Sequence, residues 1–400
     1  MATMLKQTLA VVAAALFAGA VYAADVELKE GHPDRYVVVK GDTLWDISAR
    51  FLNSPWLWPE VWQANPQIQN PHLIYPGDVI SLVYIDGKPM LTLSRDPGAS
   101  GITGPRVRVS ELDDAITTIP LSKVQQYLRR PRLLDREELE TAPYLVAMEE
   151  NRIMGMNTQV AYARQLDAPV GTRFAIVAPS MVYRDLPKKW FWDKERRQQA
   201  DPWELEEFKR RSFGKAMNYL WYDWAYSRNT ELLGYEVMEV GTAEVVAEGD
   251  PATVHISYVD REIKKGHLLL PELARPFDLN FYPHGPGEVP EGMRVLALNE
   301  ALGGAGISQV VVFNRGTEDG IDNGTVVSLH QPGERIRDEI KAPRGDIRYT
   351  FGLGDDKVTL PAEFTGHAMV FRTFDRISYG LIMDAVKPVN IGDIARQPLD

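Results

Sequence analysis

The residues that decide the fold run from Tyr36 to Leu82, as YVVVKGDTLWDISARF at 36–51 and WPEVWQANPQIQNPHLIYPGDVISL at 58–82. Tyr36 to Val39 is β-branched and aromatic, and Gly41-Asp42 behind it is a turn signal, so a strand is predicted to stop there. Thr43 then opens a helix: its hydroxyl can accept from the backbone N–H of Asp46 while the Asp46 carboxylate reaches back to the start of the turn. Leu44, Ile47 and Phe51 fall on one face of that helix. A second helix follows Asn53-Ser54-Pro55, with Trp58, Val61 and Trp62 at i, i+3 and i+4 and Pro59 in its first turn. Asn65-Pro66 ends it, a loop runs through Asn70-Pro71, and Tyr75-Pro76-Gly77-Asp78 makes a turn into a second strand, Val79 to Leu82. The predicted order is strand, helix, helix, strand, with two helices on one face of a two-stranded sheet.

That order, with Tyr36, Val38, Gly41 to Trp45, Ile47, Asn65-Pro66, Ile68, Asn70-Pro71, Ile74 to Asp78 and Ile80, resembles the LysM domain. The resemblance implies binding of N-acetylglucosamine-containing glycans, chiefly peptidoglycan or chitin, in a shallow groove. One wall would be Gly41, Asp42, Thr43 and Leu44, the other Asn70, Pro71, Leu73 and Ile74. From Asp34 to Tyr84 the chain carries five acids and three bases, a poor field for a polyanion and a suitable one for a mostly neutral sugar chain. Helical spacing by itself assigns Trp58 and Trp62 to a core, and Trp45 is read with them.

The net charge of −11 argues against nucleic acid as the general partner, since phosphate binding needs a basic face. Residues 1–23 read as an export signal: Lys6, an apolar run from Leu9 to Ala20, and a small-x-small Val21-Tyr22-Ala23 cleavage site. Cysteine is absent, which removes disulfides, a lipidated N-terminal Cys and any thiol nucleophile. With a wall-binding module the expected compartment is the periplasm, in association with the cell wall.

The expected fold class is α+β and multidomain: a small βααβ module, then a β-rich region of two similar lobes with a few helices. The boundaries read from the sequence are a leader at 24–34, the LysM-like module at 35–84, a linker at 85–105 centred on the Gly/Pro/Ser-rich stretch from Asp96 to Pro105, a first lobe at 106–300 and a second at 301–400. A helix is predicted at Leu121–Arg130 and a short one from Asp135, and strands at Tyr144–Met148, Phe174–Val177, Val237–Val240, Val254–Tyr258 and Val310–Phe313. Gly171 to Val177 resembles Gly324 to His330. Leu233 to Glu236 and Ile263 to His267 are followed in the same order by Thr365 to Ala368 and Asn390 to Asp393. Duplication explains this, and so does the tendency of Gly-punctuated strands to look alike. Residues 187–229 hold five of the nine tryptophans and read as an insertion. Six acids among the nine bases from Lys188 to Lys215 favour a solvated arm with docked aromatics over an anion-binding surface.

The segments Gln309 to Gly316 with Asp319-Gly320, and Gly366 through Tyr379 to Asp393, resemble the FlgT-like C-terminal region of the type IV pilus secretin-associated (TsaP) family, which joins a signal peptide, a LysM domain and this region. The resemblance implies peptidoglycan and an outer-membrane secretin as partners, and no cofactor. A hydrolase is the alternative, because LysM domains accompany such enzymes. Thiol chemistry is excluded by composition, the seven histidines are never closer than twelve residues, and neither H-E-x-x-H nor G-x-S-x-G occurs. The expectation is a non-catalytic adaptor with no catalytic and no metal-binding residues, the competing reading being a peptidoglycan-remodelling enzyme whose site has no recognisable motif.

Overall fold

The computed structural model describes residues 26–62, 74–85, 87–94, 116–129, 131–151, 154–185, 222–223, 231–272, 281–298, 304–338, 340 and 357–398. The chain forms two compact units, one ending at Ile116 and one spanning Thr117–Leu399.

In the first unit, β1 (Arg35–Val37) pairs antiparallel with β2 (Val79–Ile85), and β2 with β3 (Lys88–Ser94). The sheet has three strands where the sequence reading expected two, and the expected linker at 85–105 therefore begins inside the sheet. The register places Ile85 opposite Lys88, with Gly87 just before Lys88 at φ 79°. Helix α1 (Leu44–Phe51) carries the full capping box: Asp46 N donates to Thr43 Oγ1 at 3.1 Å, and Thr43 N to Asp46 Oδ2 at 3.3 Å. A 3₁₀ turn at Pro55–Leu57 leads into the single-turn helix α2 (Trp58–Trp62). Leu44, Ile47 and Phe51 from α1 and Trp58, Val61 and Trp62 from α2 pack on Ile80 and Leu91 of the sheet. Each such buried side chain stabilises the unit by about 1.5–3 kcal/mol. Ile116 completes this core, and its N–H donates to Ile74 O at 2.8 Å. Residue 116 thus belongs with the first unit, beyond the boundary the sequence reading drew at 105. The linker core at 96–105, the start of the first lobe at 106–115 and nearly all of the tryptophan-rich stretch lie outside the described residues.

The second unit is built from strands. Tyr144–Met148, Val160–Arg164, Ala252–Val259, Leu232–Ala247, Arg173–Arg184 and Leu268–Pro271 pair in that order, and the last returns to the first, so the sheet closes into a ring. Val295–Leu298, Val310–Phe313, Ser378–Ala385, Glu363–Thr373, Val326–Gln331 and Ile394–Arg396 pair likewise, and a bridge between Arg294 and Ile394 closes them. With the six strands of each ring numbered along the chain, both rings have the order 1-2-5-4-3-6. Closure leaves no long edge to template aggregation. The second ring starts at Val295, ahead of the boundary expected at 301.

The turns agree at the level of single hydrogen bonds. Gly171 N donates to Val245 O and Val245 N to Thr172 O, while Gly324 N donates to Val370 O and Val370 N to Thr325 O. Gly266 and His267 bracket Leu145 as Gly392 and Asp393 bracket Val295. Inside the rings lie Leu145, Ile176, Val245 and Ile256, and Val295, Phe313, Leu329 and Val370. Alternate residues of Arg173–Arg184, Ala175 and Val177, face a further core with Leu139 and Val237, which is why this strand is apolar on both faces. Leu121–Arg129 and Arg136–Thr141 are helical as expected, the latter capped by Asp135.

The rings are tied by polar groups. Tyr183 and Glu236 of the first ring and Tyr379 of the second meet on one oxygen, with both hydroxyls donating to Glu236 Oε2. Arg372 of the second ring donates to the carbonyls of Tyr127 and Pro131. Burial lowers its pKa to about 10, still well above physiological pH. Asp185 and Glu231, which bracket residues 186–230, are joined by Asp185 N to Glu231 O at 2.9 Å. Asn314 Nδ2 donates to Asp185 Oδ1 at 2.8 Å, and Arg376 bonds both Leu232 O and Glu231 Oε1.

Candidate functional site

The loop between β1 and α1 is held from below by carboxylates. Asp42 Oδ2 accepts from Val39 N at 2.9 Å and from the Tyr36 hydroxyl at 2.8 Å. The Tyr36 ring lies under the Arg50 guanidinium, 4.5 Å from its centroid. Burial and the Asp42 carboxylate raise the Tyr36 pKa, so its hydroxyl stays a donor. Gly41 sits at φ 98°, which only glycine adopts without strain.

The second loop meets the first at Val38. Val38 N donates to Asp78 O at 2.9 Å and Gly77 N to Val38 O at 2.8 Å, while Asp78 Oδ2 accepts from Tyr75 N at 3.0 Å. The turn at 75–78 is thereby fixed beside the turn at 39–42, as a groove between two loops requires. Asn70, Pro71 and Leu73 lie outside the described residues.

The described members of the candidate set divide by burial. Gly41 is exposed and Asp42 half-buried. Leu44 and Ile74 are 1% and 0% exposed and belong to the core, so neither presents its side chain to a ligand. Thr43 is buried as the helix cap. Leu44, Thr43 and Ile74 can contribute backbone groups only. The residue that sequence reasoning missed is Val39, which is 53% exposed beside Gly41. Its signal lay in the alternation of the Val37-Val38-Val39 run once Val38 is placed inward. An exposed valine, a glycine without a side chain and backbone amides at tight turns suit an acetamido sugar, which offers a methyl group, an N–H and a carbonyl.

Among the described residues no helix is long and apolar enough to cross a membrane, and no group of three or more His, Asp or Glu is placed to hold a metal. One arrangement among the described residues resembles a nucleophile site: on the second ring, Ser328, His367 and Asp384 lie opposite one another on adjacent strands. His367 Nδ1 contacts Asp384 Oδ2 at 2.9 Å. Ser328, however, is 1% exposed, its hydroxyl is directed to the Arg396 and Gln397 carbonyls, and its ring partner at 3.2 Å is His330. It fastens the last strand. No curated protein matches the chain. Residues 36–83 match the family model of the LysM domain, so the first unit carries a glycan-binding module of the kind that takes peptidoglycan.

Proposed function

We propose that this chain is an exported, non-catalytic periplasmic adaptor that grips peptidoglycan through the loops at 39–44 and 70–78 and holds an outer-membrane secretin of the type IV pilus system through its second unit. The observation that carries the glycan half is the pinned, exposed turn Val39–Gly41 within the matched module. The secretin half rests on the resemblance of the segments at 309–320 and 366–393 to the FlgT-like region. We infer also that the second unit arose from two similar lobes. The shared strand order and the matching Gly171 and Gly324 turns support that reading.

The test has two arms. Purified protein should co-sediment with sacculi, with little change between low and moderate salt because a neutral sugar chain releases few counterions. The sacculi should stay intact on long incubation, and release of soluble muropeptides would replace the adaptor reading with the hydrolase one. A crosslinked pull-down from envelopes with a variant lacking residues 24–95 should still recover secretin, and recovery that needs those residues would defeat the division of labour.

A further inference from the structure

Between the two rings of the second unit lies a cavity of about 210 Å³. Its walls carry Met181 and Met238 of the first ring and Val310 and Val312 of the second. Its buried end is polar. Glu236, 8% exposed, lines it together with Tyr183 and Tyr379. Both phenols have pKa values raised well above the ordinary 10 by burial and the adjacent carboxylate, so they donate and the carboxylate accepts. Both donations fall on Oε2. Among the described residues Oε1 accepts no hydrogen bond. The nearby Arg372 attracts the Glu236 carboxylate through space, while its guanidinium donates to the Tyr127 and Pro131 carbonyls rather than to Oε1.

A buried carboxylate with one open acceptor in a roomy cavity calls for a donor, and a cationic donor offsets its desolvation best. Arg261 lines the cavity too and, unlike Glu236, is exposed, which puts a cation toward its mouth; the Asp260 carboxylate lies 3.9 Å from that guanidinium. Negative charge inside, an apolar middle and positive charge at the rim form the complement of a zwitterion with a methylene stem. The volume suits a short aliphatic chain and is too small for a sugar polymer.

We propose that this cavity binds a free aliphatic ω-amino acid, with its ammonium on Glu236 Oε1, its stem between the methionines and valines, and its carboxylate at Arg261.

The full chain would be titrated calorimetrically with ω-amino acids of increasing length, with hexylamine, hexanoate and hexanol as controls. Binding should peak at one chain length, weaken for hexylamine and vanish for hexanoate and hexanol. Glu236→Gln should weaken the best amino acid by about tenfold or more, and Arg261→Ala should abolish its advantage over hexylamine. Because Glu236 also ties the rings, Ala297→Trp, which fills the cavity from its wall, provides a second variant. It should lose binding with an unchanged melting temperature. Absence of heat in the wild type at about 10 mM probe overturns the proposal. Hexanol binding as tightly as the amino acid, or binding that survives Ala297→Trp, overturns it equally.

Discussion

Val39 and Leu44 flank one turn and face opposite ways. Val39 is exposed beside Gly41, whereas Leu44 is sealed among Ile47, Trp58 and Ile80. Substitutions at the two should therefore separate binding from folding. Val39→Glu is expected to leave stability within about 0.5 kcal/mol while lowering sacculus affinity by about fivefold to tenfold. Leu44→Ala should cost about 2–5 kcal/mol through the cavity it leaves, with binding lost only in proportion to unfolding. Co-sedimentation beside urea denaturation reads both, and a Val39→Glu protein that binds normally would move the contact away from this turn. The resemblance to LysM gave these positions as residues, not as atoms. That is why Leu44 and Ile74 were assigned to a groove when their side chains are core.

At the scale of the element, legibility followed locality. The α1 cap was readable because Thr43 and Asp46 are three residues apart and make both bonds of the box themselves. The strands Tyr144–Met148 and Val310–Phe313 were readable from short apolar runs between breakers, with their observed ends. Strand β3 was missed although Asp86-Gly87 is a strong hairpin signal. Ring closure was not readable, since no local pattern tells Arg173 to Arg184 that it will pair with both Leu232–Ala247 and Leu268–Pro271. Nor was the Glu236 tie, because an acid within a strand ordinarily faces water. The turn between Ile263-Lys264 and Leu268–Pro271 carries a pH prediction. His267 is 2% exposed, its Nδ1 accepts from Lys264 N at 3.2 Å, and burial, with Lys264, pushes its pKa down to about 4. Above pH 6.5 the ring is neutral in both folded and unfolded states, and its contribution is fully present. As pH falls below that value the unfolded chain takes up a proton the folded ring refuses, and stability drops by about 1.4 kcal/mol per unit toward a total of about 3 kcal/mol near pH 4. His330, whose pKa is lowered chiefly by burial, acts in the same direction. Urea midpoints at pH 7.5 and 4.5 should therefore differ less in His267→Asn, which keeps an acceptor for Lys264 N, than in the wild type. An equal pH dependence in the two would contradict the assignment.

For the whole molecule, the division after Ile116 predicts where the first unit can be cut. A fragment of residues 24–95 retains all three strands but lacks Ile116 and its bond to Ile74 O. A fragment of residues 24–116 should be more stable by about 2 kcal/mol, the value of one buried isoleucine. Thermal melts of the two compare them directly, and equal melting temperatures would mean that Ile116 is dispensable.

The junction of Asp185 and Glu231 has a consequence for chain continuity. On one side of it stands a strand of 12 residues and on the other a strand of 16, paired along nearly their full shared length. Asn314 and Arg376 grip the two ends separately. The pairing of these two strands therefore does not depend on the covalent link between them. A protease cut placed there should convert one polypeptide into two that elute as a single species on gel filtration and part only in denaturant. Expressed as separate genes, residues 1–200 and 215–400 should find each other, which would make this junction a place to divide the protein into complementing halves.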